Sequence, residues 1–570
     1  MSKPMSASFK PGNSWLRSCV ASSSRLSVGS QPPPPPPHRY PALETSTRRS
    51  GRSIRYQSSS TEPSRRPPPL VSRSRKPKEN TEVIRTEPEI KDGPGAPASV
   101  PPSAPKEKPR QDFNTSLSWL VLPDPDHMNY RRVTAQDLRN RREPPTRVKM
   151  LVREYIHDSL YNPHYGYFSK KATIFRSPPG GYDFSTFRDQ TEFQEQVASR
   201  YAAEYGDMIE GSLGRQVWHT PTELFSPYYA QALVSGIITA HKSSAKSPSS
   251  PLIIYELGAG NGSFMSDALS FIRDQHPDLW PQTRYRVIEI SPELARLQRE
   301  RAKESKVDHK VEILNTDVFD WEGGDKEPCY VVALEMLDNL AHDMVRYDIQ
   351  TLQPYQTLVT IDATGNFNLI YEPITDPTLS QAMSYYDRLS TSSTSSRRHT
   401  VPNIPSLIRS STLLRKAYTE LPFAPNLSSP DFIPSKAIAL IKKLKEQLPN
   451  HRFLAADFAT LPDTVSGRNG PVVQTRLGRV MVSVGTFLVK HGYFDIFFPT
   501  NFELLRDILA LITKDLPSAS IPGGGIPAIE ITSQSDFVRK YGGSELTKKL
   551  TTRNGVSIMD AMYGNAKVMF

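Results

Sequence analysis

The feature that most constrains the fold is a glycine-rich turn, Glu256–Ser263 with the sequence ELGAGNGS, between a largely apolar run and a helical pattern. The apolar run covers residues 252–257, and a helix is predicted over 263–273. Glycines let the backbone turn sharply and approach a ligand without an intervening Cβ. The helix N-terminus adds free N–H groups and a partial positive charge, which suit a carboxylate or a phosphate. The alternative interpretation is a simple connection between a strand and a helix.

The pattern after this turn predicts an α/β fold. Strands are predicted at residues 285–290, 311–314 and 330–334, with a helix at 292–303 between the first two. Such alternation favours a parallel sheet with helices on both faces. Two further strands, at 453–458 and near 480–484, are expected to complete this sheet.

Helical patterns surround the predicted strands. Residues 113–250, which include a predicted helix at 148–160, are expected to form a helical N-terminal extension. Residues 251–570 are expected to form the core of the domain, with an insertion at about 375–450 on the substrate side. Ser435 is a candidate N-cap for the helix that follows it. The lysines of that helix are interpreted as a solvated face: Lys436, Lys442, Lys443 and Lys445.

Single carboxylates follow the second and third predicted strands. Glu289 lies at the end of the second strand, and Asp317 follows the third. Ligands in open α/β sheets bind at the carboxyl ends of the strands, where a carboxylate can accept both hydroxyl groups of a ribose. Either residue alone could be an ordinary exposed acid, but together they favour a cofactor pocket.

Glu335 and Asp338 follow the fourth predicted strand. Because they are three residues apart, a helical turn would place both carboxyl groups on one side. Such a pair suits a cationic acceptor such as a guanidinium group, which it can hold by bidentate hydrogen bonds. The alternative is that Glu335 caps a turn and Asp338 caps the next helix. His342 and Asp343 are further candidates for substrate contact, although a lone histidine is more often structural.

The excess charge of the chain is confined to its N-terminal fifth. The formal net charge is +11, and residues 1–112 hold 20 Lys and Arg against nine Asp and Glu. The rest of the chain is neutral, which argues against nucleic-acid binding because phosphate contacts need a basic surface.

No window reaches the ~18 apolar residues of a membrane-spanning helix. The two cysteines exclude a disulfide scaffold and a cysteine-based zinc site, and no metal site is predicted.

Residues 1–60 have the composition of a mitochondrial transit peptide. They are rich in Arg and Ser and contain one acidic residue, Glu44. The prolines at 32–37 and the Pro-, Ser- and Arg-rich sequence up to residue 112 predict a disordered linker. The alternative is a plain disordered basic tail without a targeting role.

The chain resembles the MidA-like methyltransferases, the mitochondrial complex I assembly-factor family of S-adenosylmethionine-dependent protein arginine methyltransferases. The resemblance covers about residues 145–570 and rests on segments that occur in the family's order. These segments are Asn162–Phe168, Gly181–Phe184, Thr220–Leu224, Glu256–Gly262, Val287–Pro292, Ala333–Leu340, Asp495–Phe502, Thr532–Phe537 and Gly564–Phe570. The acceptor motif departs from the family pattern, since Asn339 and Ala341 replace an alanine and a proline.

This resemblance implies a Rossmann-like class I methyltransferase fold that binds S-adenosyl-L-methionine. It implies that the glycine turn faces the methionine part of the cofactor and that Asp317 receives the adenine amino group. The implied cofactor-binding residues are Glu256, Gly258, Gly260, Gly262, Glu289 and Asp317, and the implied catalytic residues are Glu335 and Asp338.

The resemblance also implies a function. It points to arginine methylation of a matrix-arm subunit of respiratory complex I, in the mitochondrial matrix. The altered acceptor motif leaves open a complex I assembly factor that binds the cofactor and is non-catalytic or only weakly catalytic. A methyltransferase for RNA or a small molecule is a third interpretation, and the neutral charge of residues 113–570 disfavours RNA.

Overall fold

A computed structural model of the chain describes residues 126–170, 172–205, 216–244, 247, 250–391, 404–477, 480–515 and 529–570. The transit-peptide and linker predictions for residues 1–112 lie outside the described residues. The elements up to the fourth strand of the predicted sheet are β1 (Arg131–Arg132), α1 (Ala135–Leu138), β2 (Val148–Leu151), α2 (Val152–Tyr161), α3 (Tyr167–Lys170), β3 (Ala172–Ile174), α4 (Gln190–Tyr205), β4 (Gln216–Trp218), α5 (Pro221–Leu224), α6 (Tyr228–Ser244), β5 (Leu252–Leu257), α7 (Ser263–Gln275), β6 (Thr283–Ile288), α8 (Pro292–Glu304), β7 (Val311–Leu314) and β8 (Cys329–Leu334). The elements that follow are β9 (Asp343–Tyr347), β10 (Pro354–Ile361), β11 (Phe367–Pro373), α9 (Pro377–Thr391), α10 (Ser406–Ser410), α11 (Thr412–Thr419), β12 (Asp431–Ile433), α12 (Ser435–Gln447), β13 (His451–Phe458), β14 (Val472–Leu477), β15 (Val480–Ser483), β16 (Asp495–Phe497), α13 (Phe502–Asp515), β17 (Ile531–Ser533), α14 (Gln534–Lys549), α15 (Ile558–Tyr563) and β18 (Ala566–Met569). Among the described residues, none of these helices has the length and apolar content needed to cross a membrane.

The predicted parallel strands form the middle of a seven-stranded sheet, ordered β17-β18-β13-β8-β5-β6-β7. Strands β13, β8, β5, β6 and β7 are parallel, and β18 is antiparallel to both of its neighbours. All residues of β5, the middle parallel strand, are buried. Its alternate side chains enter two apolar cores, one covered by α6, α7 and α14 and the other by α9, α12 and α13. The prediction of an α/β sheet with helices on both faces is confirmed.

The order of the strands decides where a crevice opens. From β5 the chain passes through α7 to β6 and through α8 to β7 on one side, whereas β8 and β13 lie on the other side of β5. The connections that leave β5 and β8 therefore diverge at the carboxyl ends of these strands. Open α/β sheets bind ligands at such a reversal of strand order.

The N-terminal extension is not purely helical. Residues 148–151 form strand β2, and the helix begins only at Val152. Strand β2 belongs to a second sheet, ordered β1-β2-β10-β9-β12 with β11 paired to β10, in which Leu151 lies opposite Leu358. The predicted helix starts too early because the spacing of the apolar residues in this segment fits a helix as well as a strand. The pairing of the segment with β10 makes it a strand.

Two other local predictions are wrong. Residues 480–483 form β15, which pairs with β14 in a separate three-stranded sheet and does not extend the central one. Ser435 lies inside α12, whose N-cap position is Pro434. The Ser435 hydroxyl donates to Asp343 Oδ2 (2.5 Å), because a buried carboxylate competes with the helix backbone as its acceptor.

Candidate functional site

A cavity of about 1510 Å³ opens at the carboxyl ends of β5, β6 and β8. Six of the predicted site residues line it: Gly258, Gly260, Glu289, Asp317, Glu335 and Asp338. They lie on the connections that follow β5, β6, β7 and β8. The parallel topology therefore brings together residues that are far apart in the sequence.

The glycine turn has a backbone conformation that only glycine adopts easily. The φ angle is 64° at Gly258, 52° at Gly260 and 76° at Gly262, in the region that L-residues rarely occupy. A Cβ atom at Gly260 would also lie 3.0 Å from Ile174 Cδ1. The Gly258 amide donates to the Ile288 carbonyl (3.0 Å), which ties the turn to the end of β6. Bare backbone of Gly258 and Gly260 therefore faces the cavity.

A buried glutamate holds the other side of this turn. Glu223 of α5 is 4% exposed, and its Oε1 accepts hydrogen bonds from Asn261 Nδ2 (3.1 Å) and from the Ser263 hydroxyl. Its segment is part of the family resemblance, but the sequence did not identify Glu223 as a site residue. No local pattern could have done so, because its partners lie about forty residues further along the chain.

Glu289 is held at the cavity wall by two hydrogen bonds. One carboxyl oxygen accepts from the Ser291 amide and the other from Gln298 Nε2, each at 2.9 Å. Gln298 Nε2 also lies 2.9 Å from the Gly260 carbonyl, so one side chain of α8 positions both the glycine turn and Glu289. Burial raises the pKa of Glu289 above its ordinary value.

Gln298 is a positioning residue that the sequence analysis missed. It lies on the same face of α8 as Ala295 and Ala302 and is fully buried. The sequence does contain a signal for Gln298, because it stands between two alanines on the apolar face of an otherwise charged helix. A glutamine that is buried at such a position needs hydrogen-bond partners, and this could have predicted its role.

Glu256 and Gly262 do not line the cavity, which differs from the prediction that they contact a cofactor. Glu256 is 3% exposed, and its carboxyl group accepts from the Tyr285 hydroxyl (2.8 Å) between β5 and β6. Burial raises the pKa of Glu256 to about 8. Gly262 is the N-cap residue of α7, and an added Cβ would lie 3.3 Å from Gln298 Cγ. Both residues shape the turn from behind, because the alternation of β5 directs Glu256 into the core on the α7 side.

Asp317 and a lysine lie at another part of the wall. Asp317 follows β7, and its Oδ1 accepts from the Phe319 amide (2.9 Å). Lys436 lines the same cavity, with Nζ 4.4 Å from the centre of the Phe319 ring. The interpretation of Lys436 as part of a solvated face is therefore wrong, since the first turn of α12 borders the cavity. Lys442, nearly two turns later, faces outward and pairs with Glu446 (3.8 Å).

Four carboxyl groups gather beyond the glycine turn. Glu335, Asp338 and Asp495 line the cavity. Asp457 holds the backbone behind them, because its Oδ2 accepts from the amides of Leu337 (2.9 Å) and Asp338 (3.0 Å). Oδ1 of Asp338 and Oδ1 of Asp495 have no hydrogen-bond partner among the described residues. No described Lys or Arg is among the main causes of the pKa shifts of these four groups.

Burial raises the pKa of every carboxyl group in this acidic cluster. It raises the pKa of Asp457 to about 7 and that of Asp495 to about 8. Burial, and then the nearby Asp457, hold the pKa values of Glu335 and Asp338 well above their ordinary range. A cation placed among these groups would favour their ionised forms. The cluster therefore suits a cationic ligand. Asp457 and Asp495 were not predicted as site residues, although Asp495 lies in a segment compared with the family.

Neither carboxyl group after β8 caps a helix. The residues between β8 and β9 form a turn, and the next helix, α9, begins only at Pro377. Glu335 has a φ of 50°, an unfavourable value for glutamate, and its amide donates to the Ala456 carbonyl (2.9 Å). The alternative that Asp338 caps a following helix is therefore wrong. A strained turn brings Glu335 and Asp338 to one cavity, whereas the sequence suggested a helical turn.

An aromatic ring borders the acidic cluster. The Tyr161 hydroxyl lies 3.4 Å from the Asn339 carbonyl, and its ring stacks on Phe168 with centroids 5.4 Å apart. Burial, and then the nearby Asp338, raise the pKa of Tyr161 far above its ordinary value. This wall can pack against the apolar part of a long cationic side chain.

The two other candidates for substrate contact do not line the cavity. The His342 ring stacks on Phe498 with centroids 3.8 Å apart, its Nδ1 lies 2.8 Å from the Leu340 carbonyl, and burial lowers its pKa to about 3. Asp343 forms a buried ion pair with Arg153 (2.5 Å). Both residues stabilise the start of β9.

A parallel sheet with a glycine turn after its middle strand, and with acidic side chains after the neighbouring strands, is the arrangement of a class I methyltransferase-like α/β fold. A family model described as an S-adenosyl-L-methionine-dependent methyltransferase matches residues 233–516, about half of the chain. The chain belongs to the MidA-like family of S-adenosylmethionine-dependent methyltransferases, and S-adenosylmethionine is its cofactor.

Individual relatives are distant. Over 378 residues the chain is 20% identical to the protein arginine methyltransferase NDUFAF7 homolog, mitochondrial, of Schizosaccharomyces pombe, with 64% of this chain and 76% of that protein covered. Two crystal structures of Burkholderia thailandensis proteins, one bound to S-adenosyl-homocysteine, are each 16% identical to it. They cover 79% of this chain and match over 94% of their own length, with TM-scores of 0.46 and 0.44.

Gln298→Met should weaken cofactor binding by about tenfold, because it removes two hydrogen bonds at nearly constant volume. Calorimetry with S-adenosylmethionine measures the change. Gln275→Met, at an exposed position of α7, is the matched control and should bind as the unmodified protein does. Equal affinity of the two variants would contradict a positioning role for Gln298.

Proposed function

We propose that this protein is a Rossmann-like class I enzyme that methylates arginine side chains of a protein, specifically a matrix-arm subunit of respiratory complex I. The observation that supports this most is the acidic cluster. Glu335, Asp338 and Asp495 line the same cavity as the glycine turn, and Asp338 and Asp495 each keep one oxygen without a partner among the described residues. The relative from Schizosaccharomyces pombe carries the name of a protein arginine methyltransferase.

The residues around the glycine turn fit S-adenosylmethionine. Gly258 and Gly260 leave room for close approach because neither carries a Cβ, and their positive φ angles maintain the turn. Glu289, held by Ser291 and Gln298, would accept the ribose hydroxyl groups. Asp317 would receive the adenine amino group. The cofactor supplies a methyl group that is electrophilic because it is bonded to a sulfonium.

The acidic cluster would bind and orient the acceptor. A guanidinium group is planar and has five N–H donors, which suit the carboxyl groups of Asp338 and Asp495 that line the cavity. A bound cofactor would supply the methyl group to a guanidinium nitrogen held there, with its thioether as the leaving group. The nitrogen must release a proton. Glu335, whose pKa is well above its ordinary value, is the group suited to accept that proton.

Methyl transfer by the purified protein tests this function. Isotopically labelled S-adenosylmethionine should label an arginine-containing matrix-arm peptide but not the same peptide with lysine at that position. Mass spectrometry of mitochondrial arginine methylation, with and without the protein, should show one mark that depends on it. Labelling of the lysine peptide alone would contradict arginine specificity.

A second candidate function is an assembly factor that binds S-adenosylmethionine without transferring its methyl group. It is favoured by Asn339 and Ala341, which line the cavity where the family pattern has an alanine and a proline. Calorimetric binding of the cofactor together with no label on any mitochondrial protein would support this candidate. Label on a protein arginine would exclude it.

The matrix location rests on residues 1–60 and on the name of the mitochondrial relative. Deleting residues 1–60 should leave the protein in the cytosol, because the remaining chain lacks the Arg- and Ser-rich segment. Deleting residues 61–112 is the matched control and should preserve import. Fractionation of cells that express each form measures the result. Import of the form without residues 1–60 would refute the targeting role.

Asp495→Asn should change how stability depends on pH. Burial raises the Asp495 pKa from 3.8 to about 8, so in the folded state it stays protonated while the unfolded chain ionises. Its contribution to the free energy of unfolding is complete below about pH 4 and is lost as the pH rises through about 8. Relative to the unmodified protein, the variant's free energy of unfolding should therefore increase by about 1 kcal/mol or more as the pH rises from about 5 to about 8.

Thermal unfolding of both proteins at about pH 5 and at about pH 8 measures this change in stability. The matched control is Asp278→Asn, because Asp278 is 63% exposed. A stability difference for Asp495→Asn that is the same at both pH values would contradict the raised pKa.

A further inference from the structure

An exposed apolar patch lies on the segment that contains α10 and α11. Half of the large hydrophobic residues that are exposed in the described chain fall within this short segment. The patch consists of Leu407 (72% exposed), Leu413 (76%), Leu414 (41%), Leu421 (58%) and Phe423 (105%). None of these residues lines the cavity described above. Side chains exposed to this degree project from the surface and do not form a groove.

The segment that carries the patch is anchored to the domain. Ile404 is buried in the core that α9, α12 and α13 cover, and Ile408 and Tyr418 pack against the same core. The Arg415 guanidinium donates to the Gln350 carbonyl (2.9 Å). The patch is therefore the outer side of a segment whose inner side is fixed.

Phe423 occupies a strained position at the end of this segment. Its φ angle is 63°, a value that is rare for an aromatic residue, within a turn closed by the hydrogen bond from the Ala424 amide to the Leu421 carbonyl (3.1 Å). Strain of this kind persists where the surrounding structure or a function requires it. Here it holds an aromatic ring in solvent, which costs free energy unless a partner covers the ring.

Positive charge accompanies the patch. Residues 404–424 contain three Lys and Arg and one acidic residue, Glu420, although residues 113–570 as a whole are neutral. Lys416 lies on α11 between the two exposed leucines and Leu421. Projecting Leu and Phe side chains beside Lys and Arg are typical of segments that bind the surface of an anionic bilayer.

We propose that the apolar patch docks this protein on an anionic lipid bilayer. Leu413, Leu421 and Phe423 enter the boundary between headgroups and acyl chains, and Lys416 contacts lipid phosphates. This inference goes beyond methyl transfer and does not depend on it.

Fluorescence quenching by brominated lipid tests the proposal at a single position in the full chain. Phe423→Trp should be quenched, beyond the unmodified protein, by vesicles of phosphatidylcholine and phosphatidylglycerol that carry brominated chains. Val480→Trp is the matched control, because Val480 is also exposed (63%) but lies on β15. This readout is independent of the basic residues 1–112, which could tether the protein but would not bury residue 423.

The outcomes separate docking from other uses of the patch. Added quenching of Phe423→Trp but not of Val480→Trp supports docking. Equal quenching of the two variants overturns the proposal, and so does vesicle attachment without quenching at residue 423. Either result would indicate that the patch binds another protein. Leu413→Ser combined with Phe423→Ser should also lower vesicle partitioning by about tenfold or more, whereas Val480→Ser should not. Unchanged partitioning of the folded double variant at high salt overturns the proposal too.

Discussion

Gly260→Val is expected to abolish binding of S-adenosylmethionine, with an affinity loss of more than about 100-fold. The φ angle of 52° at residue 260 is one that valine rarely adopts. A Cβ there would lie 3.0 Å from Ile174 Cδ1 and would project where the turn borders the cavity. The backbone would have to shift, and the Gly260 carbonyl would lose its contact with Gln298. Calorimetry with the cofactor and its demethylated product measures the effect.

Gly365→Val is the matched control for this experiment. Gly365 also has a positive φ (86°), but an added Cβ there would meet nothing within 4 Å, and the residue lies in the turn between β10 and β11. Its replacement should cost comparable backbone strain without affecting the cavity. Thermal unfolding shows that both variants are folded before binding is compared. Retained cofactor affinity in folded Gly260→Val would mean that the glycine turn is not the cofactor site.

Glu335→Gln is expected to lower the rate of methyl transfer by about 100-fold or more while the cofactor Kd stays within about twofold. The amide has nearly the same shape as the carboxyl group but cannot accept a proton from the acceptor nitrogen. Glu335 has its pKa raised well above its ordinary value by burial and by Asp457. The rate of the unmodified protein should therefore rise with pH, and the variant should lose that rise. Single-turnover kinetics over a range of pH values measures both effects.

The control for this variant is Glu304→Gln. Glu304 ends α8 and is exposed, so the same change of charge there should leave the rate and the Kd unaltered. Loss of cofactor affinity together with the rate in Glu335→Gln would place Glu335 in the cofactor pocket. An unchanged rate and pH profile would remove Glu335 from the proposed proton transfer.

The sequence predicted the central sheet well because its signals are local. The strand before the glycine turn and the next three strands of the predicted sheet were found from short apolar runs and the helices between them. Local patterns failed where pairing between distant segments decides the structure. Residues 148–151 could have continued a helix, but their pairing with β10 makes them a strand. Residues 480–483 pair with β14 for the same kind of reason.

The residues of the candidate site were likewise predicted only in part. Gly258, Gly260, Glu289 and Asp317 were predicted because each lies at a strand end, where a parallel sheet binds ligands. Their roles toward the cofactor stay predictions, as do those of Glu335 and Asp338. Glu223 and Asp495 were not found, because each reaches the site from an element distant in the chain. Gln298 was missed although its buried position between Ala295 and Ala302 on α8 is a local signal. Glu256 was expected at the cofactor but lies behind the turn.

By itself, the sequence determined the strands around the glycine turn and the helices between them, the position of that turn and the confinement of the excess charge to residues 1–112. Each depends on composition or on spacing between near neighbours. Only the tertiary structure decided which carboxyl groups share a cavity and how burial raises their pKa values. It also decided which leucines of the 404–424 segment remain exposed. The physical reason is that burial and electrostatic coupling depend on contacts between segments that are distant in the chain.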